Sequence, residues 1–124
     1  MIFIFGGRCQ GKLSFAKETF GASLSVCDLS ATPIEDAFRH DIIVNLESGI
    51  RDLLKRDLKP TAYFSEHLAL LEGKILIGNE IGCGIVPVDG FERLWRDETG
   101  WVYQFLGRNS SGVYRVWAGI GTKL

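Results

Sequence analysis

The residue types and spacing best suited to chemistry lie in the first fourteen positions. Ile2-Phe3-Ile4-Phe5 passes directly into Gly6-Gly7-Arg8-Cys9-Gln10-Gly11-Lys12-Leu13-Ser14. In the pattern Gly-x4-Gly-Lys, glycines at both ends let successive backbone N–H groups converge on a phosphate, and the lysine brings a full positive charge to the terminal phosphates. The segment Gly6 to Ser14 is therefore expected to bind a nucleotide, with Lys12 acting on the group being transferred. Spacing alone is weak, because the chain carries 15 glycines. Position strengthens it: an apolar run precedes the loop, and Phe15, Ala16, Thr19 and Phe20 follow on one helical face. An intact loop of this kind continues with Ser or Thr, whose hydroxyl reaches Mg²⁺. Here the next residue is Leu13, and Ser14 falls about 100° further round the helix, so the loop offers no hydroxyl at the usual place.

The elements that position this loop are read from the apolar runs Ile2 to Phe5, Leu24 to Cys27, Ile42 to Leu46, Ile75 to Ile77 and Val113 to Ala118. Continuous apolar runs suit strands covered on both faces. Between them lie amphipathic stretches. One has Leu46, Ile50, Leu53, Leu54 and Leu58 opposite Arg51, Asp52, Lys55 and Arg56; another runs Phe91, Leu94, Trp95, Trp101, Val102, Phe105 and Leu106. Alternating strands and helices predict a three-layer α/β fold with a mainly parallel sheet, resembling the P-loop NTPases. Residues 1–124 form one domain in this reading, and Leu58 to Ser65, which contains Pro60, reads as a surface loop. In open α/β sheets ligands bind beyond the carboxyl ends of the strands. That rule selects Gly6 to Lys12, Asp28, Glu47, Asn79, Glu80 and Gly119. Glu47 has two readings: an acidic metal ligand at a strand end, or a first-turn carboxylate favoured by the helix dipole.

Composition narrows the partners. The chain is 46% hydrophobic and 23% charged, with a formal net charge of −1. Such a balance gives no field for nucleic acid or an anionic membrane and points to a small-molecule partner. No apolar run approaches the 18 residues of a membrane span, and Met1 leads into a core strand with no basic leader, so a cytoplasmic protein is expected. Cys9, Cys27 and Cys83 are too few and scattered for a zinc site and are expected to be reduced. Cys9, inside the loop, is either a spacer or a thiol activated by the amides and Lys12.

A second block, Asn79-Glu80-Ile81-Gly82-Cys83-Gly84-Ile85-Val86-Pro87, changes the specificity of the argument. Together with the loop it resembles the bifunctional adenosylcobinamide kinase / adenosylcobinamide-phosphate guanylyltransferase family of cobalamin biosynthesis. The resemblance covers roughly residues 1 to 20 and 75 to 121, continuing through Arg93, Arg96-Asp97, Gly100 and Gln104 to Gly119-Ile120. It implies GTP or ATP as the nucleotide, a corrinoid such as adenosylcobinamide as acceptor, Mg²⁺ held by Glu47 or Glu80, catalytic roles for Lys12 and Glu80, and a homotrimer. Gly82 and Gly84 are expected to let backbone approach a ligand closely. The family transfers guanylyl through a histidine in a helical segment after the second strand. Here that region is shortened to Asp28 to His40, and neither His40 nor His67 lies in a copy of that motif. The loop also reads Arg8-Cys9-Gln10 where the family has a small residue, Arg and Ser. These departures predict a shortened member with the guanylyltransferase half in question, or a nucleotide-binding or assembly protein that keeps the fold without turnover. Trp95, Trp101 and Tyr103 are candidates either for a subunit interface or for the core.

Overall fold

The computed structural model describes residues 1–81 and 89–124. Its strands are β1 (Ile2–Gly6), β2 (Val26–Asp28), β3 (Ile42–Val44), β4 (Ile75–Asn79), β5 (Gly112–Trp117) and β6 (Ile120–Lys123). The helices are α1 (Lys12–Phe20), α2 (Leu46–Lys55), α3 (Pro60–Glu66) and α4 (Gly90–Asn109), with short 3₁₀ turns at Ile34–Arg39 and Leu68–Leu71. The sheet order is β2-β3-β4-β1-β5-β6. Every neighbouring pair is parallel except the last, β5–β6, which is antiparallel. β1 therefore lies inside the sheet, between β4 and β5, and its carboxyl end delivers Gly6 to Ser14 to the rim of the sheet beyond the strand ends.

Alternation of side chains along each strand divides the core into two layers. Ile4, Ile42, Ile75, Ile77 and Val116 pack on one face with Ala16 of α1. Phe3, Ile43 and Leu76 point to the other, where Leu46, Ile50 and Leu53 of α2, Phe64 of α3, and Val102 and Leu106 of α4 cover them. Each fully buried Leu or Ile contributes about 1.5–3 kcal/mol of apolar burial. The three-layer α/β architecture with a mainly parallel sheet is thus as the sequence predicts.

Several local expectations are corrected. Leu58 to Ser65 is not a loop: from Pro60 onward it is α3, with Pro60 and Phe64 buried. Proline is tolerated at the first helical position because its missing N–H has no intrahelical partner there. α2 stops at Lys55, so Leu58 lies beyond it and is exposed. On α4 the buried positions are Thr99, Val102 and Leu106, while Leu94 and Trp101 are exposed; Trp101, adjacent to Val102, is turned about 100° away from the buried stripe. Thr19 and Phe20 leave the core face of α1, although the Phe20 ring still meets Tyr114 edge-on. β2 begins at Val26 rather than Leu24. β6 is an added strand, turned back on β5 through Ala118 and Gly119, both at positive φ.

Candidate functional site

The loop begins where β1 ends. Gly6 is required there by close approach: a Cβ on it would collide with the backbone carbonyl of Val116 in β5. Gly11 ends the loop at φ 84 as the N-cap of α1, a left-handed conformation that glycine adopts without penalty. It offers no side chain to the free N–H groups of the first turn, which leaves them to meet an anion. Lys12, the first helical residue, is buried and donates from Nζ to the carbonyl of Gly7 at 2.5 Å. Burial pushes its ammonium below the ordinary lysine range, with Glu47 opposing the shift, followed by smaller contributions from Cys9 and Glu80. Arg8, Cys9 and Ser14 are exposed; Gly7, Gln10 and Leu13 are half-buried, and Leu13 packs against the α1-side core.

Beyond β2, β3 and β4 the sheet rim carries a continuous hydrogen-bond network. Glu47, in the first turn of α2 and 2% exposed, accepts from the backbone N–H of Asn79 at 3.0 Å and from its Nδ2 at 2.6 Å. Asn79 Nδ2 also donates to Asn45 Oδ1 at 3.0 Å, and Asn45 Nδ2 donates to Asp28 Oδ1 at 2.7 Å. Asp28 Oδ1 further accepts from the backbone N–H and hydroxyl of Ser30. Desolvation acts to raise the Asp28 carboxyl, but the bonds from Asn45 and Ser30 outweigh it and hold the group below its usual range. From behind, Tyr103 of α4 donates its hydroxyl to the Asn79 carbonyl at 2.7 Å, and Trp95 Nε1 donates to the Glu47 carbonyl at 2.8 Å. Burial, with Glu47 and Glu80 adding, pushes the Tyr103 phenol far upward and keeps it a donor.

Loop and network share a cleft. A cavity of about 320 Å³ is lined by Cys9 to Ser14 together with Asp28, Asn45 and Asn79. A neighbouring one of about 320 Å³ joins Arg8 and Cys9 to Ser30, Glu47 and Ser48. The structure therefore brings Lys12, Asp28, Glu47 and Asn79 together. Glu80 stands apart from that flank: its N–H donates to Gly6 O at 2.8 Å, and its carboxylate faces Arg115 Nε at 3.2 Å beside Gly7 and Gln10. Glu47 is a carboxylate in the first turn of α2, as one of its two sequence readings has it, and it lines a cavity together with Arg8 and Cys9 of the loop.

Asn45, Ser30, Arg115 and the network role of Tyr103 and Trp95 escaped the sequence reading. Asn45 had a signal, since it follows an apolar run and Asn is one of the few side chains tolerated at positive φ; it is found at φ 60. His40 and His67 sit at helix ends, and the His67 ring stacks on Tyr63 and Phe38. Gly82 and Gly84, expected to admit a ligand closely, and Cys83 lie outside the described residues. Cys9 and Cys27 are free thiols, and among the described residues no group of three His, Cys, Asp or Glu side chains is placed to hold a metal ion. No helix among them is long and apolar enough to cross a membrane.

Comparison with known proteins bears on the second half of the chain. The sequence model of the cobinamide kinase / cobinamide phosphate guanyltransferase family matches residues 53–124, which include β4, the Asn79 to Pro87 block, α4, β5 and β6. The chain is 42% identical over 50 residues to the bifunctional adenosylcobalamin biosynthesis protein CobU of Escherichia coli and to that of Salmonella typhimurium. The aligned stretch is 40% of this chain and 28% of the length of each relative. The Gly6 to Ser14 loop lies before the matched family segment. With the matched segment spanning more than half of the sequence, the chain belongs to the cobinamide kinase / cobinamide phosphate guanyltransferase family.

Proposed function

We propose that the chain is a nucleotide-binding protein of cobalamin biosynthesis whose reaction, where it turns over, is phosphoryl transfer from GTP or ATP to a hydroxyl of a corrinoid such as adenosylcobinamide. The observation that carries this reading is one cleft that joins the amides and lysine of Gly6 to Ser14 to Asp28, Asn45, Glu47 and Asn79. The phosphates lie on the loop. Lys12 leaves the Gly7 carbonyl for the terminal phosphate, and loop amides stabilise charge as it shifts onto the leaving oxygens. Asn79, clamped by Glu47 and Tyr103, holds the β4 end of the cleft rigid. The acceptor approaches along the groove of about 440 Å³ that continues past Ser30 and Ser48 to Arg51 and Lys55.

Mg²⁺ needs only one or two carboxylates beside the substrate phosphates. Glu47 meets that need, because Asn79 takes one bond on each carboxylate oxygen and leaves further lone pairs. Glu80, engaged with Arg115, is the second carboxylate near the loop. The ion would neutralise phosphate charge.

Guanylyl transfer is not proposed, since neither His40 nor His67 lines these cavities. A second reading, nucleotide binding without turnover, is favoured by Leu13: its half-buried side chain lines the cleft beside Lys12, and it has no hydroxyl to offer a metal. Incubation with γ-labelled GTP or ATP, Mg²⁺ and adenosylcobinamide separates the two. Labelled corrinoid supports the kinase; tight nucleotide binding with no product supports the second reading; absence of nucleotide binding refutes both.

A further inference from the structure

The phosphate loop has two flanks. On the β4 side stand Asp28, Asn45, Glu47 and Asn79. On the β5 side the loop closes a smaller cleft of about 160 Å³, walled by Gly7, Gln10, Glu80, Arg115, Val116 and Trp117. Loop and wall are fastened together. Gln10 accepts through its side-chain oxygen from the Ala118 N–H at 2.7 Å, and through its backbone carbonyl from the Gly119 N–H at 2.8 Å. Because Ala118 and Gly119 form the turn between β5 and β6, this clip sets where the end of β5 stands relative to the phosphates. Trp117, immediately before the turn, is 73% exposed. Its exposed indole lines the same cleft as Gly7 and Gln10 of the loop.

We propose that this cleft is a base subsite, in which the nucleobase of a nucleoside triphosphate stacks on Trp117 while its phosphates lie on Gly6 to Ser14. The inference rests on the nucleotide reading above. A triphosphate whose reacting end points to Glu47 must carry its nucleoside away from that flank, and the β5 flank supplies an aromatic face there. Arg115, held beside the cleft by Glu80, adds hydrogen-bond donors at its edge. Stacking tolerates any base, since every base has a π-face. Trp117 thus provides affinity common to GTP and ATP, and polar groups at the edge provide choice between them. Ile120 on β6 and Leu124 just beyond it, both exposed, define the competing use of Trp117, contact with another protein chain.

The test titrates wild type, Trp117→Ala and Trp117→Phe with GTP, ATP and inorganic tripolyphosphate by calorimetry, with sedimentation of each protein. Trp117→Ala is expected to weaken both nucleotides by roughly 5- to 100-fold and to leave tripolyphosphate unchanged, while Trp117→Phe retains most of the affinity. Quenching of tryptophan fluorescence by GTP is expected in wild type and lost in Trp117→Phe. Equal nucleotide affinity in Trp117→Ala and wild type overturns the proposal, as does an equal loss of tripolyphosphate binding, or an effect confined to sedimentation. If wild type binds tripolyphosphate and a nucleoside adds nothing, the base subsite alone is refuted. If it binds neither nucleotide nor tripolyphosphate, the nucleotide reading falls as well.

Discussion

Asn79→Asp changes one side-chain nitrogen to oxygen and leaves shape intact, yet it should be among the most damaging substitutions in the chain. In the wild type Asn79 Nδ2 donates to Glu47 Oε2 at 2.6 Å, and Glu47 is 2% exposed. The variant sets two carboxylates against each other at that contact. Two unit charges about 4 Å apart repel by roughly 4 kcal/mol at an effective dielectric of about 20, and loss of a hydrogen bond to a charged group costs about 1.5–3 kcal/mol. Outward relaxation and proton uptake limit the total to about 3–5 kcal/mol, the range for breaking a buried ionic contact. Against a typical domain stability of about 5–15 kcal/mol, that is a large fraction. The sign with pH follows from linkage. Sharing a proton raises one folded-state carboxyl above its unfolded value of about 4, so the deficit is small below that pH and grows as pH rises through the raised value. Urea denaturation at about pH 4.5 and pH 7.5, with Asn79→Ala as the uncharged control, measures it. A variant as stable as wild type at the higher pH, or a deficit that does not change with pH, would refute the Glu47–Asn79 contact as the structure gives it.

Lys12→Ala should leave the fold intact and weaken GTP or ATP binding by about 1.5–3 kcal/mol, measured by calorimetry; phosphate raises the Lys12 pKa on binding, so wild-type affinity should fall as pH rises through the lowered free-protein value, and Lys12→Arg should abolish that fall. Leu13→Ser should couple nucleotide and Mg²⁺ affinity, which titrations with and without the metal detect, at a stability cost of about 1–3 kcal/mol for the lost apolar contact; a wild type already strongly metal-dependent would count against the reading of Leu13. No acid-labile protein adduct is expected from α-labelled GTP, and label retained by wild type but lost in His40→Ala would reverse that expectation. Gly6→Ala should destabilise the chain by about 1–3 kcal/mol or more in thermal melts, because its Cβ meets the backbone of β5 rather than a side chain that can swing away.

What the sequence determined by itself is local. The apolar runs Ile2 to Phe5 and Ile42 to Leu46 suit strands covered on both faces, and Leu46, Ile50 and Leu53 recur at the helical period. The Gly6 to Ser14 loop is legible in the sequence because its pattern is contiguous, and the rule that ligands lie beyond strand ends selects Asp28, Glu47 and Asn79, which line neighbouring cavities at one end of the sheet. Where local pattern was ambiguous it misled. Pro60 reads as a breaker, although at the first turn of α3 it is compatible with the helix, and burial of Phe64 against the rest of the core holds that helix in place.

Tertiary structure alone decided which of these groups meet. Glu47 and Asn79 are 32 residues apart, and Gln10 and Ala118 are separated by 108. Their contacts follow from strand order: with β4 and β5 on opposite sides of β1, the ends of both strands flank the same loop. Period and composition assign a residue to a strand, but strand order comes from packing the whole sheet against its helices. For that reason Glu80 and Asn79, neighbours in sequence, face opposite flanks: Asn79 turns to Glu47, and Glu80 turns to Arg115.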